Sequence, residues 1–568
     1  MLIAFAAIVV TRIAALPRTA WEFDELLFMM GARHFDPIAH HPPPPGYPLF
    51  MFVAQLVRTF IGSDFAALVA LNFAATLIGF VFLALAFRNI SGSEEIGIAG
   101  SLLFWMSPVM LVHSTAAFSD AGGIALLSVA LWSATRDGDR HAVVFALAAA
   151  AAVGWRPQLA IAIVPMLFAV VLLRRWRERV IIVIVFTLGC LAWLIPLMIA
   201  VGGAAKLLAY EASQAGYLAK YDADLSRSNW SAIAVAARFI AQSWGAWVMS
   251  IPLLAAAVAG IITTVRARDR RAIPLAIAFC VYLSVALRVM DPADGTRYSL
   301  PATLAIAFFA ARGLPAYRCA LVTLFSLASL TFVSSILSQR ATSASPPVQA
   351  AEFARAAFPA NAVALYELPL WPHATYFLAA HHPMRIDPGL TAYFDRRDVP
   401  LYIFADGATR APGARTFRWQ PSEAYATLTR NHYRVVSIIP LPPERRFKPL
   451  RGIHSLEREA EGEGWRWLMP IAELQLPALP ATKLELRLAV PPTVPFDAND
   501  VAISIDGRVA QMARIARGTS VALSIPLPRP GAIVRFESTR SFIPAEGTGS
   551  ANRDPRRLAV RLIDVVLR

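Results

Sequence analysis

The residues best placed to do chemistry come early in the chain. Trp21-Glu22-Phe23-Asp24-Glu25-Leu26-Leu27-Phe28 puts three carboxylates within four positions, beside apolar anchors. Partial desolvation at such a place raises the basicity of a carboxylate. The same pattern also suits a solvated acidic face on a short interfacial helix. His40-His41-Pro42-Pro43-Pro44-Pro45-Gly46-Tyr47-Pro48 follows, and its four consecutive prolines predict a stiff polyproline II segment. Residues 49–61 then carry Gln55, Arg58 and Thr59 on one face of an otherwise apolar helix, as expected of a helix lying in a membrane interface. There is no Walker-type phosphate loop and no dinucleotide fingerprint, so ATP- or NAD-driven chemistry has no support. His381-His382 lacks the partner spacing of a zinc site, and the lone His113 reads as a buried, hydrogen-bonded core histidine.

The elements that must position these residues are membrane helices. Of 568 residues, 57% are hydrophobic and 16% charged, and the formal net charge is +15. Mean hydropathy is +0.52, too apolar for an ordinary soluble or disordered chain. The positive balance would suit nucleic acid if it formed one patch, but the basic residues scatter between apolar runs, which excludes a nucleic-acid partner and points to membrane lipids. Cys190, Cys280 and Cys319 lie inside apolar runs and read as packing residues. Eleven runs are candidates to cross about 30 Å of hydrocarbon: 1–17, 66–87, 96–113, 119–135, 141–154, 158–173, 180–200, 246–265, 273–289, 299–312 and 319–338. The first lacks a basic leader and reads as a transmembrane helix, not a cleaved signal. Lys and Arg are retained on the cytoplasmic side. With the N-terminus inside, the loops of Arg88, Arg136–Arg140, Arg174–Arg179, Arg266–Arg271 and Arg312–Arg318 all fall there. The opposite side receives 18–65, the turn at Gly154-Trp155-Arg156, 201–245, 290–298 and everything after 339.

Three domains and a linker are expected: a transmembrane region over 1–338, a linker over 339–347, a small α/β layer over 348–459 and a β-sandwich over 460–568. Val348 to Phe358 is helix-like, while Ala362 to Leu368, Leu401 to Phe404 and Tyr433 to Pro440 read as buried strands. Beyond 460 the period becomes two: Leu484, Leu486 and Leu488 alternate with Glu485 and Arg487, and Asp506-Gly507 is a hairpin turn signal. Val521, Leu523 and Ile525, then Ile533 to Phe536, then Leu558 to Leu562 complete a β-sandwich, a shape suited to binding carbohydrate.

In this order the motifs resemble the GT-C superfamily of polyprenyl-phosphate-sugar-dependent glycosyltransferases, in the branch of protein O-mannosyltransferases and lipid A aminoarabinose transferases. The resemblance covers about 1–340. It rests on the first-loop acid pair Asp24-Glu25, a basic residue before a Pro-rich turn, Ser119-Asp120-Ala121 opening the fourth run, Gly154-Trp155-Arg156-Pro157, and Arg297-Tyr298-Ser299-Leu300-Pro301. The aminoarabinose transferases carry Lys before two prolines, where this chain has His41 before four, and the tail does not resemble theirs.

The resemblance implies a bacterial inner-membrane enzyme that moves a sugar from a polyprenyl-phosphate donor to a lipid, glycan or protein acceptor at the periplasmic face, with inversion. Asp24 takes the role of base, with Glu25 second and Asp120 nearby. Positive charge for the leaving phosphate comes from Arg297, Arg156 or His41, with Tyr298 beside them, or from a divalent cation held by Asp24 and Glu25. Each position has a plainer reading. Asp120 suits a helix N-cap, Arg297 a side chain snorkelling to headgroups, and Arg156 an interfacial anchor. Lys206, Lys220 and Arg227, with Tyr210, Tyr217 and Tyr221, suit either substrate contact or a solvated face. The rival functions are a transporter or flippase, which would place acid pairs at mid-membrane, and a sensory anchor, for which eleven spans are excessive.

Overall fold

Each of the eleven apolar runs folds as helix, and serine and proline punctuate them. Ser63, Ser93 and Ser107 accept the backbone N–H groups of Ala66, Ile96 and Met110, and Pro108 opens the helix that Ser107 caps. The computed structural model describes residues 1–225, 227–386, 399–420, 423–429, 435–443, 446–458, 464–478, 481–546 and 554–568. They form two compact units, Met1–Ser345 with Gln420–His432, and Pro346–Trp419 with Tyr433–Arg568.

The first unit is helical. Five helical stretches, Asp64–Ser91, Trp176–Val201, Trp247–Arg266, Arg270–Val289 and the one that opens with helix Arg318–Thr342, are long and apolar enough to cross a membrane, and the protein is an integral membrane protein. By length, then, the described helices give five spans where eleven were expected. The other apolar helices fall short of the roughly 20 residues a lone span needs, and two of them, Asp120–Ala134 and Leu300–Gly313, are buried on most sides by neighbouring helices. Apolar side chains such as Val10, Phe168, Ile199 and Val248 stay exposed on the unit's outside, as lipid-facing positions would.

Helices Trp247–Arg266 and Leu300–Gly313 cross at backbone contact. A Cβ on Gly260 would lie 1.8 Å from Phe309 O, and one on Gly313 1.9 Å from Ala256 O. Gly260→Ala is therefore expected to cost about 1–3 kcal/mol through overpacking, read as a lower thermal unfolding midpoint in detergent. Gly216→Ala, where a Cβ meets nothing within 4 Å, should leave the midpoint unchanged.

The turn from His41 to Gly46 departs from the expected polyproline II rod. The His41–Pro42 and Pro44–Pro45 bonds are cis, and the Gly46 N–H donates to Pro43 O at 3.0 Å. An X–Pro bond has little preference against cis, so four prolines do not enforce one extended form.

In the second unit β1 (Val363–Tyr366), β2 (Met384–Arg385), β3 (Leu401–Asp406), β4 (Arg415–Arg418) and β5 (Val435–Pro440) form a mixed sheet in the order β2-β1-β3-β5-β4, parallel only at β1. Tyr433 and Arg434, expected in the last of these strands, lie outside the described residues, as does the expected boundary at 459–460. Eight further strands run from β6 (Lys448–Arg458), β7 (Gly464–Gln475), β8 (Lys483–Val490) and β9 (Ala498–Ile505) to β10 (Arg508–Ala516), β11 (Thr519–Pro526), β12 (Ile533–Ser538) and β13 (Val560–Leu567). They make one ladder, β10-β9-β12-β7-β13-β8-β11 with β6 on β7, not two separately bonded sheets. Two residues link β10 to β11, the opposite ends of that ladder, so it folds over on itself. Asp506 and Gly507 turn between β9 and β10 with φ of 49° and 82°, and Leu484, Leu486 and Leu488 face inward.

Helix Arg318–Thr342 runs into the proposed linker and Pro346 opens the next helix. Val363, Leu365 and Ile403 of the smaller sheet share one apolar core with Leu486, Ile503 and Val534 of the larger.

Candidate active site

Helix Phe23–Arg33 starts with a capping box between Glu22 and Glu25. Glu25 is wholly buried. Its carboxylate accepts from the backbone N–H groups of Trp21 (2.6 Å), Glu22 (2.9 Å) and, far along the chain, Ala117 (2.7 Å), with Arg340 Nη2 at 3.4 Å. Asp24 sits about 100° away around the helix, and there Arg297 Nη1 donates to its Oδ2 at 3.0 Å.

From Arg297 the charges alternate inward. Arg297 Nε donates to Asp120 Oδ2 at 3.1 Å, and Arg156 Nη1 meets Asp120 Oδ1 at 2.9 Å and Ser119 Oγ at 3.2 Å. Side-chain exposure along Asp24, Arg297, Asp120 and Arg156 is 37%, 7%, 0% and 5%, so Asp24 is the carboxylate a substrate can reach. Full burial of Asp120 is tolerable because each of its oxygens faces a guanidinium. Arg297 also lies 3.9 Å above the Phe118 ring. Burial works against its charge, but Asp120 and Asp24 hold its pKa above the ordinary value. Among the described residues, no partner engages Arg297 Nη2 or the Nε and Nη2 of Arg156.

Local sequence explains why these groups converge. A residue before proline is pushed out of the helical region. Arg156, preceding Pro157, accordingly ends helix Asp139–Trp155 with φ −142° and ψ 91°, which turns its side chain sideways. It turns into space left by glycine: a Cβ on Gly122 would lie 2.3 Å from Trp155 Nε1, and one on Gly123 3.2 Å from Arg156 Cβ. Arg297 is presented by the turn Asp291–Tyr298. There Asp291 Oδ1 accepts from Ala293 N (2.9 Å), Arg238 donates to Pro292 O (3.0 Å) and Ala293 O (2.7 Å), and Tyr282 Oη donates to Tyr298 O (2.7 Å).

The plainer readings of three residues lose their basis here. Asp120 is bound by two guanidinium groups, with no cap hydrogen bond at that helix start, and Arg156 and Arg297 are buried in ion pairs, not extended to headgroups.

No protein-family model and no curated protein matches the sequence. Among solved structures, the GT-C glycosyltransferase ArnT from Cupriavidus metallidurans, bound to undecaprenyl phosphate, aligns over 77% of this chain and 97% of its own, with 14% identity and a TM-score of 0.51. The chain has the GT-C fold. The apo state of the same ArnT aligns at a TM-score of 0.47, with the same identity and coverage. The mycobacterial arabinofuranosyltransferase AftD aligns at 0.44, with 12% identity, over 99% of this chain and 58% of its own.

On this GT-C scaffold, four of the expected site residues, Asp24, Asp120, Arg156 and Arg297, form one ion-pair relay, and three do not join it in the expected role. Glu25 is corrected from base and metal ligand to a structural staple, because backbone donors and Arg340 surround its carboxylate. The Asp24–Glu25 pair thus offers no two-carboxylate cation site. Among the described residues no group of three or more His, Cys, Asp or Glu is placed to hold a metal. His41 pairs through its backbone with Asp36. Burial first, and then His34 and His40, keep its pKa below 6.5 against the pull of Asp36, so near neutral pH it offers a hydrogen bond and no charge. Tyr298 keeps its proton, since burial and then Asp294 push its pKa up. Glu25→Gln is expected to lower stability by about 2–4 kcal/mol, since a side-chain NH₂ would face buried N–H donors, and to leave no fully folded fraction with altered chemistry. Thermal unfolding alongside the folded-fraction activity checks this.

Sequence reading missed Arg12, Arg238 and Arg340, all buried. Arg12 was detectable as a lone cation inside an apolar run; its Nε donates to Ser114 Oγ at 2.8 Å. In the 201–245 loop, Tyr210 Oη donates to Pro37 O at 2.9 Å and Arg227 donates to Met290 O and Leu287 O, so both brace the site's loops.

Proposed function

We propose that this protein is a membrane glycosyltransferase that moves a sugar from a polyprenyl-phosphate donor to a lipid, glycan or protein acceptor at the exterior leaflet, the periplasmic face of a bacterial inner membrane. The observation carrying the proposal is a half-exposed carboxylate, Asp24, paired with buried Arg297 and linked through Asp120 to buried Arg156, with N–H groups on both arginines that no described residue engages. The GT-C fold supports it, as does a relative of that fold that binds undecaprenyl phosphate.

The acceptor hydroxyl attacks the anomeric carbon, the bond from that carbon to the phosphate oxygen breaks, and the hydroxyl proton passes to Asp24. Negative charge grows on the departing polyprenyl phosphate, and Arg297 Nη2 with the Nε and Nη2 of Arg156 are the donors to meet it, with Tyr298 and His41 as neutral donors. Attack opposite the leaving group inverts the anomeric centre. Donor binding also primes the base: a phosphate that draws on Arg297 weakens its hold on Asp24. The exterior placement follows the basic residues, which fall in the loops on the opposite side from Asp24, Asp120, Arg156 and Arg297. The second unit is assigned to acceptor binding, the β-rich part to carbohydrate.

Labelled-sugar transfer from a panel of polyprenyl-phosphate sugars to membrane acceptors tests the reading. Transfer that needs both the prenyl phosphate and the protein supports it. A well-folded protein that transfers from no donor while moving lipid-linked sugars across vesicles would replace it with the flippase reading.

A further inference from the structure

Residues 420–432 connect β4 to β5, yet they group with the helical unit. Within them, helix Glu423–Leu428 ends on carbonyls that three buried side chains of the helical unit contact. Leu428 O accepts from Thr296 Oγ1 at 2.9 Å and lies 3.2 Å from His113 Nε2, and Thr427 O accepts from Arg238. The last carbonyls of a helix lack partners within it, so these contacts satisfy an otherwise costly end.

All three donors also belong to the support of Arg297. Thr296 is its neighbour in the chain. His113 stacks on Phe118 with ring centroids 5.9 Å apart, and Phe118 is the ring beneath the Arg297 guanidinium. Arg238 holds Pro292 O and Ala293 O of the same turn, with its Cγ 2.6 Å from where a Cβ on Gly295 would be. Thr296 and His113 are buried at 0% and 2% exposure, so neither has solvent as an alternative partner.

We infer that Glu423–Leu428 is a positioning element of the catalytic unit: the Leu428 carbonyl fixes the turn Asp291–Tyr298 and thereby sets Arg297 against Asp24 and Asp120. The role rests on the assignment of Arg297 to the donor phosphate. It gives the tail a function in turnover, since the segment is continuous in the chain with β4 and β5. Thr296 and His113 are positioning residues that act through Arg297.

The test uses the full-length protein in bilayers with Thr296→Val, Thr296→Ser, His113→Phe and the Val/Phe double variant. Thr296→Val keeps shape and loses the donor; the expected result is a kcat about tenfold lower, donor KM within twofold and an unchanged unfolding midpoint. Thr296→Ser should restore kcat to within threefold of native. The double variant should fall less than the product of the single effects, because both donors share one acceptor. Hydrogen exchange on amides 291–299 gives a readout independent of transfer and should rise at least fivefold in Thr296→Val. Native transfer with kcat unchanged in Thr296→Val would overturn the inference and leave the proposed function standing. Exchange that stays at the native rate would overturn it even if the native protein transferred no sugar, an outcome that would instead count against the proposed function.

Discussion

Replacing Asp24 by Asn is expected to lower sugar transfer by about 10²–10⁴-fold, the range a positioned general base contributes, while the protein stays folded. The separation of the two effects follows from where Asp24 lies. Its side chain is 37% exposed and its one described ion pair is with Arg297, so loss of charge there costs at most about 1 kcal/mol. The Asn amide oxygen can still accept from Arg297 Nη1, but it cannot take a proton from an acceptor hydroxyl. Asp24→Glu keeps the charge and moves it by one methylene, and should retain more activity than Asn. Initial rates with labelled donor, measured beside the thermal unfolding midpoint, decide the matter. A rate within tenfold of native in the Asn variant would place the base elsewhere.

The relay shows what a sequence makes legible and what it hides. Asp24, Asp120, Arg156 and Arg297 stand out because each is a charge at or beside the end of an apolar run, where it must have a reason. Their pairing was not legible: Asp24 and Arg297 lie 273 positions apart and Asp120 and Arg297 177 apart. Only packing of the helices brings them together. Glu25 illustrates the reverse failure. Charge pattern treats it as the equal of Asp24, and the difference arises from rotation about a helix plus a loop 92 residues away that supplies the Ala117 N–H. Short-range rules worked where the determinant is local, as in the Pro157 helix break or the Asp506-Gly507 turn. In the tail, alternation located the strands, but strand order depends on contacts between distant segments. The return of residues 420–432 to the helical unit has no local signal at all.

Arg297 is expected to be the position least tolerant of change, because the guanidinium proposed to meet the donor phosphate is also the one that pairs with buried Asp120. Arg297→Met would leave Asp120, at 0% exposure, facing Arg156 alone and would strand Asp24 without its partner. Removing one member of a buried ion pair costs about 3–5 kcal/mol, so the unfolding midpoint should drop sharply and transfer should vanish. Arg297→Lys separates the two roles. Lysine restores a positive charge in the same cavity, so most of the stability should return, to within about 1–2 kcal/mol of native. Its ammonium is a single point of donation, whereas Arg297 bridges Asp24 and Asp120 through Nη1 and Nε, with no described residue on Nη2; a lysine cannot span both carboxylates and a phosphate together. Transfer by Arg297→Lys should therefore stay at least about 10²-fold below native, in the range seen when a transition-state donor is lost. Unfolding midpoints and initial rates measured on the same preparations test this, and a lysine variant that transfers at the native rate would show that charge alone is needed and that the forked geometry of Arg297 plays no part.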